Sequence, residues 1–189
     1  MIEREVDNLI YILKNAKKAI NEEDIILLKE LSNRTIHTAS MYKDVDSVMV
    51  AITIYALSKL VERKKYEQYK DWDSFFRLCL KNIESASQAL KQNRIRDFRE
   101  SLIEIRTAAN KLSPHLKKYI QDIFRKASIN KASRIYEHGT SLGETANLLG
   151  ISSWELAEYS GMTGIGDVDL SITMPIKERI KFTRDLFEK

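Results

Sequence analysis

The sequence predicts an all-α protein, in which an N-terminal antiparallel helical bundle precedes a C-terminal helix-turn-helix module. All six glycines lie between positions 139 and 166, and before them the chain contains a single proline, Pro114. Because glycine weakens helix interiors and proline breaks them, this composition favours long helices. Apolar residues also recur three and four positions apart, which is the period of one helical face.

Three amphipathic helices are predicted in the first third of the chain. Their apolar positions are Val6, Leu9, Leu13, Ala16 and Ile20 in the first helix, Leu28, Leu31, Ile36 and Ala39 in the second, and Val45, Val48, Ile52 and Tyr55 in the third. The second helix follows an acidic start, "NEED", at Asn21, and the third covers roughly residues 44–66. Because Ile54, Leu57 and Val61 widen its apolar stripe, the third helix is predicted to be central.

Three further helices complete this region. The fourth carries Trp72, Phe76, Cys79, Ile83, Ala86 and Leu90, and the fifth carries Ile95, Phe98, Leu102, Ile105, Ala109 and Leu112. Ser113 and Pro114 open the sixth helix, since serine is a favoured N-cap and proline suits the first helical position. That helix is expected to run to His138, with Gly139 as its C-cap. No internal repeat and no low-complexity tract is recognised.

These elements divide the chain into three predicted parts. Residues 1–112 form the antiparallel bundle. Residues 113–166 form the long sixth helix and the helix-turn-helix, followed by the glycine-rich connector "GMTGIGD" at 161–167, which crosses the boundary to the third part. Residues 167–189 begin with an extended stretch, "DVDLSIT", and continue from Pro175 as an amphipathic tail helix.

The composition predicts a globular cytoplasmic protein with no membrane partner. Hydrophobic residues make up 43% of the 189 positions and charged residues 31%. The longest apolar run, "VMVAITIYAL", is too short to span a bilayer, and the first residues are too charged for a signal peptide. The single cysteine, Cys79, excludes an internal disulfide and a cysteine-rich zinc site.

A helix-turn-helix is predicted in the stretch "TSLGETANLLGISSWELAEYSG", residues 140–161. This motif needs a small residue where its helices cross and a glycine for the positive φ of its turn. Ala146 and Gly150 meet those two needs. Ile151 follows as a core plug, Ser152 caps the second helix, and an inward face is formed by Leu156 and Tyr159.

The same residues resemble the core of short archaeal and bacterial helix-turn-helix antitoxins, which are often encoded beside PIN-domain toxins. The matching elements are Ser141-Leu142-Gly143, Ala146, Gly150-Ile151-Ser152 and Trp154-Glu155, preceded by a similar lead-in helix, "ASRIYEHG". The match covers roughly 30 residues of the chain. This resemblance implies DNA binding or regulation of a partner protein by an archaeal-like regulator. Those antitoxins are short, whereas here the bundle of residues 1–112 precedes the motif.

The leading hypothesis is a non-enzymatic regulator that binds DNA. The candidate DNA-binding residues are Ser141, Ser152, Ser153, Trp154, Lys131 and Arg134. Serine bonds to phosphate or a base edge, and Glu158 can accept from cytosine N4. Residues 140–175 contain no Lys or Arg, so phosphate contacts must come from the preceding helix or the tail. The tail offers Lys177, Arg179 and Lys181. A homodimer would strengthen binding, because two linked modules gain effective concentration.

The rival hypothesis is a protein-interaction module that docks a basic partner, such as a toxin or a ribosomal surface, through its acidic C-terminal unit. If the Trp154 side chain is exposed, it can anchor a partner protein; if it is packed in the core, it makes no contact with a partner. A third hypothesis is a divergent helical ribonuclease that uses His37 or His138. Helical nucleases of the HEPN type separate Arg from His by four to six residues, and the spacings from Arg34 and Arg134 are shorter.

Other site types find no support in the sequence. Metal motifs such as HxxxH, CxxC and paired ExxH are absent, and no glycine-rich loop follows a strand, so no cofactor is predicted. The fifth helix carries basic residues that are either a phosphate-binding face or a solvated surface, namely Arg94, Arg96, Arg99 and Arg106. Its apolar stripe from Ile95 to Leu112 is either bundle core or a dimer seam.

Overall fold

A computed structural model describes residues 3–42, 44–63, 69 and 71–162. Every regular element in these ranges is helical, which confirms the all-α prediction. The helices are α1 Glu3–Asn21, α2 Ile25–Tyr42, α3 Val45–Arg63, α4 Trp72–Lys91, α5 Ile95–Ala108, α6 Pro114–Glu137, α7 Leu142–Leu149 and α8 Ser153–Met162. A 3-10 turn, Ala109–Lys111, joins α5 to α6. The predicted extended stretch 167–173 and the predicted tail helix lie outside the described residues.

The first six helices pack as a bundle. Helix α1 packs against α2 and α4, α2 packs against α3, α4 packs against α5, and α3 packs against α6. The connections from α1 to α2, α2 to α3 and α4 to α5 are only two or three residues long, so each of these pairs folds back on itself as a helical hairpin.

The hairpins α1–α2 and α4–α5 are turned in the same way. Glu23 and Asn93, which lie 70 positions apart, both adopt a φ of +55°. In each turn, the residue that follows donates its N–H to the carbonyl five residues earlier, at 2.8 Å. Both first helices bury small residues at matching positions, for example Ala16 and Ala86. The structure therefore contains one hairpin form twice, a similarity of backbone that the sequence interpretation did not recognise.

Two apolar clusters hold helices α1 to α7 together. The main core draws on α1 to α6 and includes Leu13, Leu57, Ile83 and Phe98. A smaller cluster, which we call the satellite core, consists of Ile36, Ala39, Val48, Ala51 and Ile135, with Leu148 and Leu149 of α7 packed against it. Helix α6 contributes to both, because its first half lies in the main core and Ile135 lies in the satellite core. This helix therefore connects the bundle to the last two helices.

Helix α6 begins as the sequence predicts and ends one residue earlier than predicted. Ser113 occupies the N-cap and Pro114 the first turn, although the Ser113 hydroxyl makes no capping hydrogen bond. The helix ends at Glu137, His138 occupies the C-cap, and Gly139 follows with a φ of +89°. This positive φ is readily available to glycine, and it directs the chain into α7.

Helix α5 resolves two alternatives that the sequence leaves open. Phe98, Leu102 and Ile105 are buried, so the apolar stripe is bundle core. Three of the four basic residues form ion pairs, Arg94 with Asp97 at 2.6 Å, Arg96 with Glu100 at 2.9 Å and Arg99 with the buried Asp46 of α3 at 2.7 Å. We conclude that α5 has a structural role, with a solvated charged face.

Candidate functional site

The end of α7 has the backbone that the sequence predicts for the turn. Ser141 caps α7, because its hydroxyl accepts a hydrogen bond from the Glu144 N–H at 3.2 Å. At the other end, Gly150 adopts a φ of +63° and the Ile151 N–H donates to the Ala146 carbonyl at 3.1 Å. This hydrogen bond is typical of helices that end in a left-handed residue, and it reverses the chain within two residues.

Helix α8 begins with a reciprocal capping box. The Ser152 hydroxyl accepts a hydrogen bond from the Glu155 N–H at 3.2 Å, and Glu155 Oε2 accepts one from the Ser152 N–H at 3.2 Å. Two N–H groups that would otherwise lack partners are thereby satisfied, which stabilises a short helix. Both predicted serines, Ser141 and Ser152, are exposed at the surface, and both hydroxyls are used in caps.

Helix α8 is fastened to α6 by apolar and charged contacts. Leu156 is fully buried, as the sequence predicts for the inner face. The Arg125 guanidinium donates two hydrogen bonds to Glu155 Oε1, at 2.9 and 2.5 Å. This pairing, together with the hydrogen bonds from Ser152, lowers the pKa of Glu155 below its usual range. Asn130 also donates to the Tyr159 hydroxyl at 3.2 Å, so α8 has a fixed orientation on α6.

The outward face of α8 presents an exposed tryptophan. Trp154 is 86% exposed, and Ser153, Ala157 and Glu158 on the same side of the helix are also exposed. The sequence left open whether Trp154 plugs the core or faces solvent, and the structure places it in solvent. Between positions 140 and 162 there is no Lys or Arg, so this surface is apolar and acidic. We call Ser153, Trp154, Ala157 and Glu158 the α8 face.

A cleft of about 430 Å³ lies beside α8, between that helix, α3 and α6. Tyr55 and Tyr159 line it, and burial raises the pKa of Tyr55 above its usual value. Its charged lining residues are Lys59, Arg63, Arg125, Lys126, Asp122, Glu155 and Glu158. The sequence does not predict this cleft, because its lining comes from segments far apart in the chain.

Most of the basic side chains near α8 already have acidic partners. Lys126 pairs with Asp122 at 2.8 Å, and Arg134 pairs with Glu137 at 3.3 Å. Arg63 makes no ion pair with any residue of the described ranges. The predicted phosphate contact Arg134 is exposed, whereas the tail residues Lys177, Arg179 and Lys181 lie outside the described residues.

Lys131 is placed where it cannot contact DNA, which corrects its prediction as a phosphate contact. Its side chain is completely buried. The ammonium group donates to Asn33 Oδ1 at 2.8 Å and lies 4.1 Å from the centre of the Tyr55 ring. Burial, together with the positive charges of Arg134 and Lys59, lowers the pKa of Lys131 to about 7. The Lys131 amine therefore lies next to the ring of Tyr55, which lines the cleft.

Two of the three histidines lie side by side. His37 Nδ1 and His138 Nε2 are 3.5 Å apart, although the residues are separated by 101 positions in the sequence. Both imidazoles are exposed at the surface. The sequence interpretation treats these histidines separately, and no sequence pattern indicates that their side chains are in contact.

Comparisons with known proteins add no relative to this description. No protein-family model, no curated protein and no solved structure matches the chain. In the part of the chain that the structure describes, no helix has both the length and the apolarity needed to cross a membrane. The same residues contain no group of three or more His, Cys, Asp or Glu side chains arranged to hold a metal ion.

Proposed function

We propose that the protein is a non-enzymatic regulator whose α7–α8 unit docks a partner protein, with Trp154 as the anchor. The observation that carries this proposal is the 86% exposure of the Trp154 side chain on the α8 face. Tryptophan is enriched among the residues that dominate binding energy at interfaces, because it buries a large apolar area in a pocket of the partner. An indole exposed to this degree contributes little to the fold of the free protein, so its area remains available.

The charges around Trp154 define the class of partner. Glu158 is exposed on the same face, and no basic residue lies between positions 140 and 162. Electrostatic complementarity therefore favours a partner that surrounds its tryptophan pocket with Lys and Arg. Since exposed charges are screened by salt, association with such a partner is expected to slow as ionic strength rises. The resemblance to toxin-associated antitoxins supports the same class of partner.

Helix α8 is also rigid enough to act as a recognition element. The capping box at Ser152, the Arg125–Glu155 pair and buried Leu156 fix its orientation before any partner binds. Preorganisation of this kind reduces the entropy cost of binding, so more of the contact energy appears as affinity. The α8 face is therefore expected to bind without rearrangement of the bundle.

The test compares Trp154→Ala with Ile26→Ala, which truncates another exposed apolar residue on α2 that is 72% exposed. Wild type and both variants would be crosslinked in the native host, and captured proteins would be quantified by mass spectrometry. We expect a basic partner with wild type and Ile26→Ala, and its loss with Trp154→Ala. With the purified partner, Trp154→Ala should weaken the Kd about 30-fold or more, in the range of interface hot spots.

The fold of both variants must be checked before this result is interpreted. Circular dichroism and Tm should be unchanged in both variants, because each substitution removes a solvent-exposed side chain. A partner that Trp154→Ala captures as well as wild type does would contradict the proposal. A set of captured proteins that does not differ between wild type and Trp154→Ala would contradict it equally.

DNA binding is the second candidate, and the observation behind it is the group of basic side chains in the cleft, of which Arg63 makes no ion pair with any residue of the described ranges. Lys59, Arg63 and Lys126 lie beside α8, where they could contact phosphates flanking a groove occupied by that helix. Mobility-shift assays on genomic fragments at about 50 mM salt, where phosphate contacts are strong, test this candidate. If DNA binds, Arg63→Ala should reduce the slope of log affinity against log salt by about 1. No binding at this salt concentration would eliminate it.

A further inference from the structure

We propose that His37 and His138 form a binding site for a divalent transition-metal ion. Their ring nitrogens, Nδ1 of His37 and Nε2 of His138, lie 3.5 Å apart, and both side chains are exposed. One imidazole comes from α2 in the bundle and the other from the C-cap of α6. The site would join these two helices at the junction from which α7 and α8 continue.

The separation of the two nitrogens suits a shared metal ion. Zinc binds histidine nitrogen at about 2.0–2.1 Å, so two nitrogens in a tetrahedral site lie about 3.3–3.4 Å apart. In the structure the two nitrogens form a long hydrogen bond of 3.5 Å, in which the tautomers decide the donor. This distance is close to the value for a shared ion and exceeds the length of well-formed hydrogen bonds from nitrogen donors, about 2.9–3.0 Å. The rings are inclined by 66°, with their centroids 4.9 Å apart, so they are not stacked face to face.

The backbone on both sides of the pair is held by buried residues. Ile36, the neighbour of His37, and Ile135, one turn before His138, both belong to the satellite core. The His138 N–H donates to the Ile135 carbonyl at 3.1 Å. Packing therefore holds the backbone that carries both imidazoles.

Two positive side chains lie near the pair in sequence, and each has another partner. Arg34 is three positions before His37, and its guanidinium lies 5.6 Å from the centre of the Tyr11 ring. Arg134, four positions before His138, pairs with Glu137. In the described ranges no third His, Cys, Asp or Glu joins the pair, so water would complete the coordination of a bound ion. Imidazole ligands favour Cu²⁺, Ni²⁺ and Zn²⁺ over Mg²⁺.

The test titrates the metal-free full-length protein with CuCl₂, NiCl₂ or ZnCl₂ and measures Tm and stoichiometry. His37→Ala and His138→Ala remove one ligand each. His115→Ala is the matched control, since His115 stacks on Tyr69 with a centroid distance of 6.0 Å and is separate from the pair. We expect one ion per chain and a rise in Tm of about 3 °C or more in wild type and His115→Ala. Both ligand variants should lose most of this rise.

The affinity series gives a second readout that does not depend on Tm. Cu²⁺ should bind most tightly, as the general order of divalent metals requires, and its electron paramagnetic resonance spectrum should show coupling to nitrogen. Absence of binding by all three ions would overturn the proposal. Binding that survives in both His37→Ala and His138→Ala would overturn it as well, because the ion would then be held elsewhere.

Discussion

Lys131 occupies a position at which the helical period calls for an apolar residue. Along α6 the inward positions are Leu116, Ile120, Phe124, Ala127, Lys131 and Ile135. The sequence interpretation named Lys131 as a DNA contact, which requires an exposed side chain. The spacing from Ala127 and Ile135 is the signal that could have corrected it. Asn33 and the face of the Tyr55 ring compensate part of the cost of burying the ammonium group.

Replacing Lys131 with Met is expected to stabilise the protein at neutral pH. Methionine has a similar length and removes the cost of burying a charge, and Asn33 is exposed, so its oxygen can bond to water instead. We expect an increase of about 1–3 kcal/mol in the free energy of unfolding at pH 7, measured by urea denaturation. Lys126→Met on the exposed face of α6 is the control and should change stability by less than about 1 kcal/mol.

The pH dependence of this difference has a definite sign. The pKa of Lys131 is lowered to about 7 in the folded protein from an ordinary value of 10.5. Between these values the unfolded chain binds more protons, so the stability of wild type rises with pH. The advantage of Lys131→Met should therefore be largest at pH 7 and should shrink as pH approaches 10. An advantage that stays constant over this range would contradict the lowered pKa.

At the scale of the element, the turn between α7 and α8 depends on one left-handed glycine. Gly150 has a φ of +63°, and an added Cβ would meet no neighbouring atom within 4 Å. Gly150→Ala is therefore expected to lower the free energy of unfolding through backbone strain, by about 1 kcal/mol. The smaller conformational entropy of the unfolded alanine variant offsets part of this loss. Gly143 provides a matched control in the same element, since it lies in α7 and is equally open.

Hydrogen exchange distinguishes these two alanine variants. Gly150→Ala should increase amide exchange in α7 and α8, because the strained turn weakens the packing of both helices. Gly143→Ala should slow exchange in α7, since alanine is the better helix former by about 0.5–1 kcal/mol. Exchange in α1 to α5 should be unchanged in both. Equal exchange in the two variants would show that the turn does not depend on its left-handed residue.

The sequence predicts the helices and turns better than it predicts the contacts between helices. Helical period and caps are local properties, so the stripes at Leu13 and Phe98 and the glycines at 139 and 150 locate helices and turns correctly. The repeated hairpin is hidden because the two copies share backbone form and burial, while most side chains differ. Ala16 and Ala86 are among the few identities in register.

The features of the candidate site that the sequence misses all depend on tertiary packing. His37 and His138 meet because α2 and α6 pack together, and Arg125 reaches Glu155 across 30 positions. No local pattern encodes these distances. In contrast, the exposure of Ser153 agrees with the predicted helical face, on which Leu156 points inward, whereas the sequence left the exposure of Trp154 open.

At the scale of the whole molecule, α6 joins parts that the sequence separates at residue 112. Helices α1 to α5 do not enclose the main core by themselves. Five buried residues in that core come from the first half of α6, namely Leu116, Ile120, Ile123, Phe124 and Ala127. The second half of α6 then supports the satellite core and α8. One continuous helix therefore links the stability of the bundle to the position of the α8 face.

This continuity predicts how shortened chains behave. A fragment of residues 1–112 lacks the five core residues of α6, and loss of each large apolar side chain removes about 1.5–3 kcal/mol of burial. Because whole domains are stable by only about 5–15 kcal/mol, we expect this fragment to unfold without a cooperative transition. A fragment of residues 1–139 retains them and should unfold cooperatively, with a lower Tm than the full chain because Leu148 and Leu149 no longer cover the satellite core. Thermal melts followed by circular dichroism, together with the urea m-value, measure the cooperativity of unfolding of the two fragments. Equally cooperative melting of the two fragments would establish that the bundle ends at residue 112 and folds independently of α6.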